Sequence, residues 1–248
     1  MENTPIIKTV NLVAKYGKRT ILDKISFEVK RGEIFMVVGG SGCGKTTLLN
    51  HMIGLLNPYA GDITIDDQSI VHATELNRLV ILRKIGVLYQ SGALFGSMNL
   101  LNNVKFPLEE LTDLPPVAIR EIASNKLKMV GLSDFKQYMP AEVSGGMQKR
   151  AAIARAMALD PKILFLDEPS SGLDPIISAE LDSLIKNLAE TLGITFVIVS
   201  HNLASIFKIA TRVILLDQGT IIASGNPHHL SEDNNPLVRK FFNRELAA

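Results

Sequence analysis

The chain has 248 residues, 46% of them hydrophobic and 21% charged, which is enough for one large α/β domain with a buried core. Its formal net charge of +1 and its scattered lysines and arginines argue against nucleic acid as the main partner. No apolar run reaches the roughly 18 residues of a membrane span, and the start of the chain lacks the features of a signal peptide. The single cysteine, Cys43, excludes an intrachain disulfide, so we expect a cytoplasmic protein.

Apolar and alternating runs predict short strands, and apolar residues at helical spacing predict the helices between them. The predicted strands are 6–12, 25–29, 34–38, 62–65, 85–88, 163–166, 195–199, 213–216 and 221–223. The predicted helices are 45–55, 76–82, 116–130, 145–159, 176–191, 203–210 and 236–243. Alternating strands and helices indicate a mainly parallel sheet with helices on its faces. Strand signals are missing between 91 and 159, so we expect a helical insertion there.

A glycine-rich loop follows the apolar run 34–38 and leads into a predicted helix. Its residues, in order, are Gly39, Gly40, Ser41, Gly42, Cys43, Gly44, Lys45 and Thr46, with Thr47 next. They match the pattern G-x-x-x-x-G-K-[ST] in its required strand-to-helix context, where backbone N–H groups and the helix N-terminus bind phosphates. We expect Lys45 to reach the β- and γ-phosphates of ATP and the Thr46 hydroxyl to bind Mg²⁺.

Two adjacent acids end the apolar run 163–166. Carboxylates at the end of a strand lie where ligands bind in open α/β sheets. We expect Asp167 to hold Mg²⁺ through a water molecule and Glu168 to polarise the water that attacks ATP. An ordinary strand-to-loop boundary is the alternative reading of this acid pair taken alone.

The run Val143-Ser144-Gly145-Gly146-Met147-Gln148-Lys149-Arg150 precedes these acids and resembles the signature of ABC-transporter ATPases. The family pattern is L-S-G-G-Q, so Val143 and Met147 depart from it, and any polar contact of the usual glutamine is lost. The Ser144 hydroxyl and the amides of Gly145 and Gly146 remain. The resemblance covers about residues 6–225.

The other motifs of that family occur in the same order. Tyr16 matches the aromatic residue that stacks on adenine, and Gln90 matches the glutamine that contacts the metal and couples the site to the membrane partner. Asp174 ends the loop that follows the carboxylates. His201 matches the histidine that senses the γ-phosphate and joins Glu168 and Lys45 as a catalytic residue. Taken singly, a tyrosine or a histidine is more often structural.

The resemblance implies an α/β fold with a phosphate-loop NTPase core, a mainly parallel sheet and an N-terminal antiparallel β portion. The ATP-binding core would span 1–90 and 160–226, with a helical subdomain at 91–159 and a C-terminal tail at 227–248. It also implies a dimer in which two ATP molecules lie between the phosphate loop of one copy and Ser144 to Gly146 of a second copy.

The segment 91–108, together with the tail 235–243, resembles the ATPases of MCE-type lipid transport systems, the MlaF-like group. This resemblance implies phospholipid movement between the inner and outer membranes, with the protein at the cytoplasmic face of the inner membrane. The implied partners are an integral-membrane permease (MlaE-like), an MCE-domain protein (MlaD-like) and a STAS-domain subunit (MlaB-like). No nucleic acid is expected.

Other functions remain open at this point. An ATPase of an importer for a small polar solute, such as an amino acid or a metal, is the main rival. A non-transport ABC protein would carry a coiled-coil insertion, a zinc site or two cassettes, which this chain lacks. A kinase or GTPase would leave Ser144 to Gly146 unexplained.

Overall fold

The computed structural model describes residues 4–90 and 92–243. Its strands are β1 (Pro5–Tyr16), β2 (Arg19–Lys30), β3 (Ile34–Gly39), β4 (Ala60–Ile65), β5 (Gln68–Ser69), β6 (Ile85–Leu88), β7 (Ile163–Asp167), β8 (Thr195–Val199), β9 (Arg212–Asp217) and β10 (Thr220–Gly225). Its α-helices are α1 (Lys45–Met52), α2 (Glu75–Leu82), α3 (Leu100–Leu111), α4 (Pro116–Met129), α5 (Gly145–Ala156), α6 (Pro175–Leu192), α7 (Leu203–Ile209), α8 (Pro227–Leu230) and α9 (Pro236–Phe242). Ser91 and residues 244–248, which belong to the predicted partner segment and tail, lie outside the described residues.

The strands form two sheets. The first is antiparallel, with the order β2-β1-β4-β5, and is built on a hairpin that turns at Gly17 with φ +58°. The second has the order β10-β9-β3-β8-β7-β6, and all of its strand pairs are parallel except β9 with β10. The predicted fold, a mainly parallel α/β sheet preceded by an antiparallel β portion, is confirmed.

The second sheet is buried on both faces. Ile34, Met36 and Val38 of β3 face one hydrophobic cluster, which includes residues of α3 to α7. Phe35 and Val37 face the other cluster, which includes α1 and the antiparallel sheet. Two buried faces explain why this strand reads as a continuous apolar run instead of an alternating one.

The parallel strands bring chemically important residues to one edge of this sheet. The register pairs Gly39 at the end of β3 with Leu216 of β9, and Asp167 at the end of β7 with Val199 of β8. The carboxyl ends of these strands therefore meet, and the loops that follow them share one surface.

Several predicted boundaries were wrong. The first two strands are 12 residues each, because the hairpin continues past the apolar positions that mark it in the sequence. The helix α3 was not predicted, since Pro107 lies inside it and interrupts the helical pattern. The helix α8 and the two-residue strand β5 were also missed.

Three α-helices, α3, α4 and α5, lie in the described part of the segment between β6 and β7, and they pack on one another. In the described part of that segment there is no strand. Within 4–90 and 92–243, no helix combines the length and hydropathy that crossing a membrane requires.

Candidate active site

The phosphate loop, residues 39–46, runs from the end of β3 into α1. Gly39 has φ +151°, and a Cβ atom there would lie 2.4 Å from the backbone oxygen of Leu216. Gly42 and Gly44 have φ +76° and +109°, a region that side chains disfavour. The path of the loop therefore requires glycine at these three positions.

Lys45 is the first residue of α1, and its side chain turns back over the loop. Its Nζ donates hydrogen bonds to the carbonyls of Gly39 at 3.0 Å and of Gly40 at 2.8 Å. Gly44 precedes the helix without a side-chain cap, so the first-turn N–H groups keep their capacity to bind an anion. The exposed Thr46 lies at the same helix end. Together these groups suit a bound phosphate.

A cavity of about 400 Å³ opens beside the loop. It is lined by residues 19–21, 40–43 and 217–219. Tyr16 pairs with Arg19 across the hairpin turn and is 56% exposed, so its ring is free to stack on a base. A larger groove of about 740 Å³ lies between α4 and α6, but it has no part of the phosphate loop in its wall. The smaller cavity is the candidate nucleotide site, because the phosphate loop and the basic side chain of Arg19 line it.

Asp167 is a buried carboxylate at the end of β7. It is 7% exposed, and its Oδ1 atom has no hydrogen-bond partner among the residues that the structure describes. Burial raises the pKa of Asp167, and the neighbouring Glu168 raises it further, while Lys45 and Lys149 oppose the shift. A buried, unpaired carboxylate oxygen needs a compensating ligand, and a hydrated Mg²⁺ ion fits that need.

Glu168 follows Asp167 and adopts φ +47°, which is unusual for a residue with a side chain. Its backbone N–H donates to the carbonyl of Val199 at 2.9 Å, so the end of β8 holds this conformation. Its Oε1 atom lies 2.7 Å from Nδ1 of His201. Two predicted catalytic side chains are therefore in direct contact.

Gln90 lies just after β6 and bonds to the loop that follows the carboxylates. Its Nε2 donates to the Ser171 hydroxyl at 3.4 Å, and the Ser171 N–H donates to the Glu168 carbonyl at 3.1 Å. The buried Lys149 of α5 donates to the Gln90 carbonyl. Lys149 lies within the signature run, but no role for it was predicted from the sequence.

The signature residues begin α5. The Ser144 hydroxyl accepts from the N–H of Met147 at 3.3 Å and caps the helix, and Ser144 and Gly145 are exposed. Gly146 is buried, and a Cβ atom there would lie 2.4 Å from Ile177 on α6. Met147 packs against the hydrophobic core, which accounts for an apolar residue at that position. Among the described residues no hydrogen bond joins Ser144 to the phosphate loop of the same chain.

Two further predicted residues have internal contacts. The Asp174 Oδ1 atom accepts from the N–H groups of Ile176 and Ile177, both at 3.0 Å, and so caps α6. The Cys43 thiol is 7% exposed and packs in the hydrophobic cluster beneath the loop, and burial raises its pKa. Cys43 can therefore offer its backbone, and not its thiol, to a phosphate.

Comparisons with known proteins agree with this geometry. The profile of the ABC transporter family matches residues 22–171, more than half of the chain. The chain belongs to the ABC transporter family. As an ABC-type ATPase, it is the ATP-hydrolysing subunit of a transporter, and the resemblance that the motifs indicated is confirmed.

Two relatives of this ABC ATPase match it over nearly its whole length. The intermembrane phospholipid transport system ATP-binding protein MlaF of Haemophilus influenzae is 40% identical over 98% of this chain and 92% of its own length. The probable ribonucleotide transport ATP-binding protein mkl of Mycobacterium leprae is 38% identical over 96% of this chain and 68% of its own length.

Solved structures show the same fold. The dimeric, post-hydrolysis structure of the ATP-binding cassette MJ0796 bound to ADP and Pi superposes with a TM-score of 0.80 and 31% identity, covering 89% of this chain and 98% of that one. The structure of cbiO1 from Clostridium perfringens, part of the ABC transporter complex cbiONQ, gives a TM-score of 0.86 and 30% identity, covering 99% and 97%.

The fold of the ABC ATPase brings most of the predicted residues to one surface, and it adds two that sequence analysis missed. Arg19 lines the cavity beside the phosphate loop, and Lys149 contacts the Gln90 loop. Arg19 follows Tyr16 by three residues, and a hairpin turn would bring two residues at that spacing together. Nothing in the local pattern around Lys149 marks it, because its contacts are distant in the sequence.

Proposed function

We propose that this ATPase powers phospholipid transport between two membranes as one of a pair of identical subunits beneath a membrane permease. The observation that carries the proposal is the 40% identity, over 98% of the chain, with a protein named for intermembrane phospholipid transport. Proteins of that name from Escherichia coli are 41% identical over 91% of the chain.

The ATP site uses groups at the edge of the second sheet. The phosphate loop and Lys45 bind the β- and γ-phosphates, and Tyr16 stacks on adenine. Thr46, Gln90 and Asp167 would hold Mg²⁺, whose positive charge would offset the charge that develops on the phosphates. The unpaired Oδ1 atom of Asp167 supports this assignment.

Hydrolysis depends on the contact between Glu168 and His201. Glu168 accepts a proton from the attacking water, and His201 orients its carboxylate through the 2.7 Å contact. The side chain of Glu168 is 12% exposed while that of His201 is 70% exposed. The histidine is therefore accessible to a γ-phosphate while the base beneath it is shielded.

The second subunit completes each site. Ser144 and Gly145 are exposed at the start of α5, where N–H groups and the helix dipole favour an anion. They would bind the nucleotide held by the partner's phosphate loop. ATP then joins the subunits, and moving a dimer from 1:99 to 99:1 takes about 5.5 kcal/mol of differential binding.

The permease would dock in a largely apolar groove of about 500 Å³ beside the Gln90 loop. The groove is lined by aromatic and aliphatic side chains that include Tyr89, Phe95, Phe106 and Pro107. A buried amide, Asn103, holds its rim with four hydrogen bonds to the backbone of Phe95, Met98 and Asn99. The groove therefore presents a fixed shape to a partner helix.

The helix α2 extends this apolar surface. Leu82 at the end of α2 lines the groove, and Leu76, Leu79 and Val80 on the same helix are exposed by 78%, 56% and 52%. Exposed apolar stripes of this kind mark interaction surfaces. The permease, of the MlaE type, would cover this stripe and hold the ATPase at the cytoplasmic face of the inner membrane. An MlaD-like MCE protein and an MlaB-like STAS subunit would complete the complex.

Co-purification tests the proposal most simply. The tagged chain is expressed in its own host, extracted in mild detergent, and analysed for bound proteins and lipids. We expect a permease and an MCE-domain protein with phospholipid, and loss of the permease when Phe95 is changed to Ser. Recovery of a permease with ribonucleotides or another polar solute, and without phospholipid, would refute the lipid assignment.

A further inference from the structure

Lys149 is a buried cation in the first half of α5, five residues after Ser144 in the chain. It is 7% exposed, and lysine is seldom buried to this extent without partners. Burial lowers the pKa of Lys149, whereas the negative charges of Asp167 and Glu168 raise it. The ammonium group therefore lies within the electrostatic field of both carboxylates.

The direct contact of Lys149 is the backbone carbonyl of Gln90. Arg155, further along α5, donates to the carbonyls of Ala93 at 2.8 Å and Gly92 at 3.1 Å. Two cations on one helix thus hold one short loop by its backbone. A hydrogen bond with a charged donor is stronger than a neutral one.

From this loop, hydrogen bonds continue to the catalytic glutamate. The Gln90 side chain bonds to the Ser171 hydroxyl, the Ser171 N–H bonds to the Glu168 carbonyl, and the Glu168 side chain contacts His201. The path begins at Lys149, on the helix whose first residues would contact the nucleotide of the second subunit. It ends at Glu168, the carboxylate that would activate water in the same subunit.

We propose that Lys149 is a positioning residue that locks the Gln90 loop to α5, so that a movement of α5 reaches Gln90 and Glu168. The proposal rests on the paired ATPase described above. Lys149 does not touch the nucleotide in this arrangement, so it sets the rate of hydrolysis and leaves the binding of ATP to the phosphate loop. Its charge and its reach matter, and arginine at this position retains both.

Steady-state ATPase kinetics of purified wild-type, K149M and K149R proteins test this role. We expect K149M to lower kcat about tenfold, the lower end of the range that loss of one charged hydrogen bond produces, with KM for ATP within about twofold of wild type. We expect K149R to restore kcat to within about threefold of wild type. A purely structural role would not separate kcat from KM in this way.

K126M is the matched control, since Lys126 is another buried cation of the helical segment, 6% exposed and paired with Asp160. It should keep wild-type kcat. Wild-type kcat in K149M, an equal loss in K126M, or a K149R variant as slow as K149M would each overturn the proposal. If K149M does not fold, K149Q replaces it, and wild-type kcat in K149Q would likewise overturn the proposal. An inactive wild-type protein would instead contradict the proposed function itself.

Discussion

The Nδ1 atom of His201 lies 2.7 Å from the Oε1 atom of Glu168. The two residues follow neighbouring strands, β7 and β8, and are 33 positions apart in the chain. Glu168 reaches this contact through a backbone with φ +47°, a conformation that costs a non-glycine residue on the order of 1 kcal/mol. The protein thus keeps a strained residue where it orients the carboxylate that the proposed mechanism needs.

Lys45→Ala should weaken ATP binding at least about tenfold. The substitution removes the cation that lies over the loop, where we place the phosphates of ATP, and charged hydrogen bonds to phosphate are strong. Equilibrium binding of a fluorescent ATP analogue measures the change. Lys8→Ala removes an exposed lysine that pairs with Glu28 on β2 and should leave binding intact. Unchanged affinity in Lys45→Ala would remove the phosphate loop from the proposed site.

Ser144→Arg should abolish hydrolysis and leave the binding of ATP to the isolated subunit intact. The new side chain would occupy the exposed start of α5, where we place the nucleotide of the second subunit. Mixed dimers of wild-type and variant chains, each with its own affinity tag, should hydrolyse ATP at no more than half the wild-type rate. Full activity at both sites of the mixed dimer would argue against the sandwich.

His51 should make the protein less stable as the pH falls below about 6.5. Burial lowers the pKa of His51, which is 4% exposed, and the hydrogen bond of Nδ1 with the Leu56 carbonyl opposes this shift. The unfolded chain binds a proton near pH 6.5 while the folded chain resists it, so unfolding takes up a proton in this range. The stabilising contribution is complete above about pH 6.5 and is lost as the pH decreases.

Denaturant unfolding of wild-type and His51→Gln proteins at pH 8 and pH 5.5 measures this effect. The wild-type free energy of unfolding should fall by up to about 1.4 kcal/mol per pH unit more than that of the variant, the limit for one proton. His72→Gln removes an exposed histidine and should retain the wild-type slope. Equal slopes in wild-type and His51→Gln proteins would contradict the assignment.

Local patterns in the sequence predicted the phosphate loop and the acid pair, because their chemistry depends on neighbouring residues. Glycines must stand at Gly39, Gly42 and Gly44 for the loop to turn, and the buried strand before Asp167 must be apolar on both faces. The parallel sheet followed from the same strand runs. The phosphate loop, the acid pair and the individual strands are predictable since each is set by neighbouring residues, whereas the pairing of strands joins residues as distant as Ile34 and Phe196.

Contacts between distant elements could not be predicted. Lys149 is 59 positions from Gln90, and Arg155 is 62 positions from Ala93, although each pair is hydrogen-bonded. No local sequence pattern predicts either contact. The helix α3 was missed because Pro107 argues against a helix locally, and packing of α3 against α4 and α5 overrides that preference. The full length of the first hairpin, which places Tyr16 opposite Arg19, was also missed, because the apolar runs end before the turn.

The Glu168→Gln variant tests the central claim, that ATP is hydrolysed by this carboxylate inside a closed pair of subunits. The substitution preserves shape and removes the base, so ATP should bind but persist, and the trapped nucleotide should hold two subunits together. Light scattering in the presence of ATP and Mg²⁺ measures dimer formation, and a phosphate-release assay measures hydrolysis. We predict a stable dimer with hydrolysis reduced at least about a hundredfold. Wild-type turnover, or a variant that stays monomeric with bound ATP, would contradict the account.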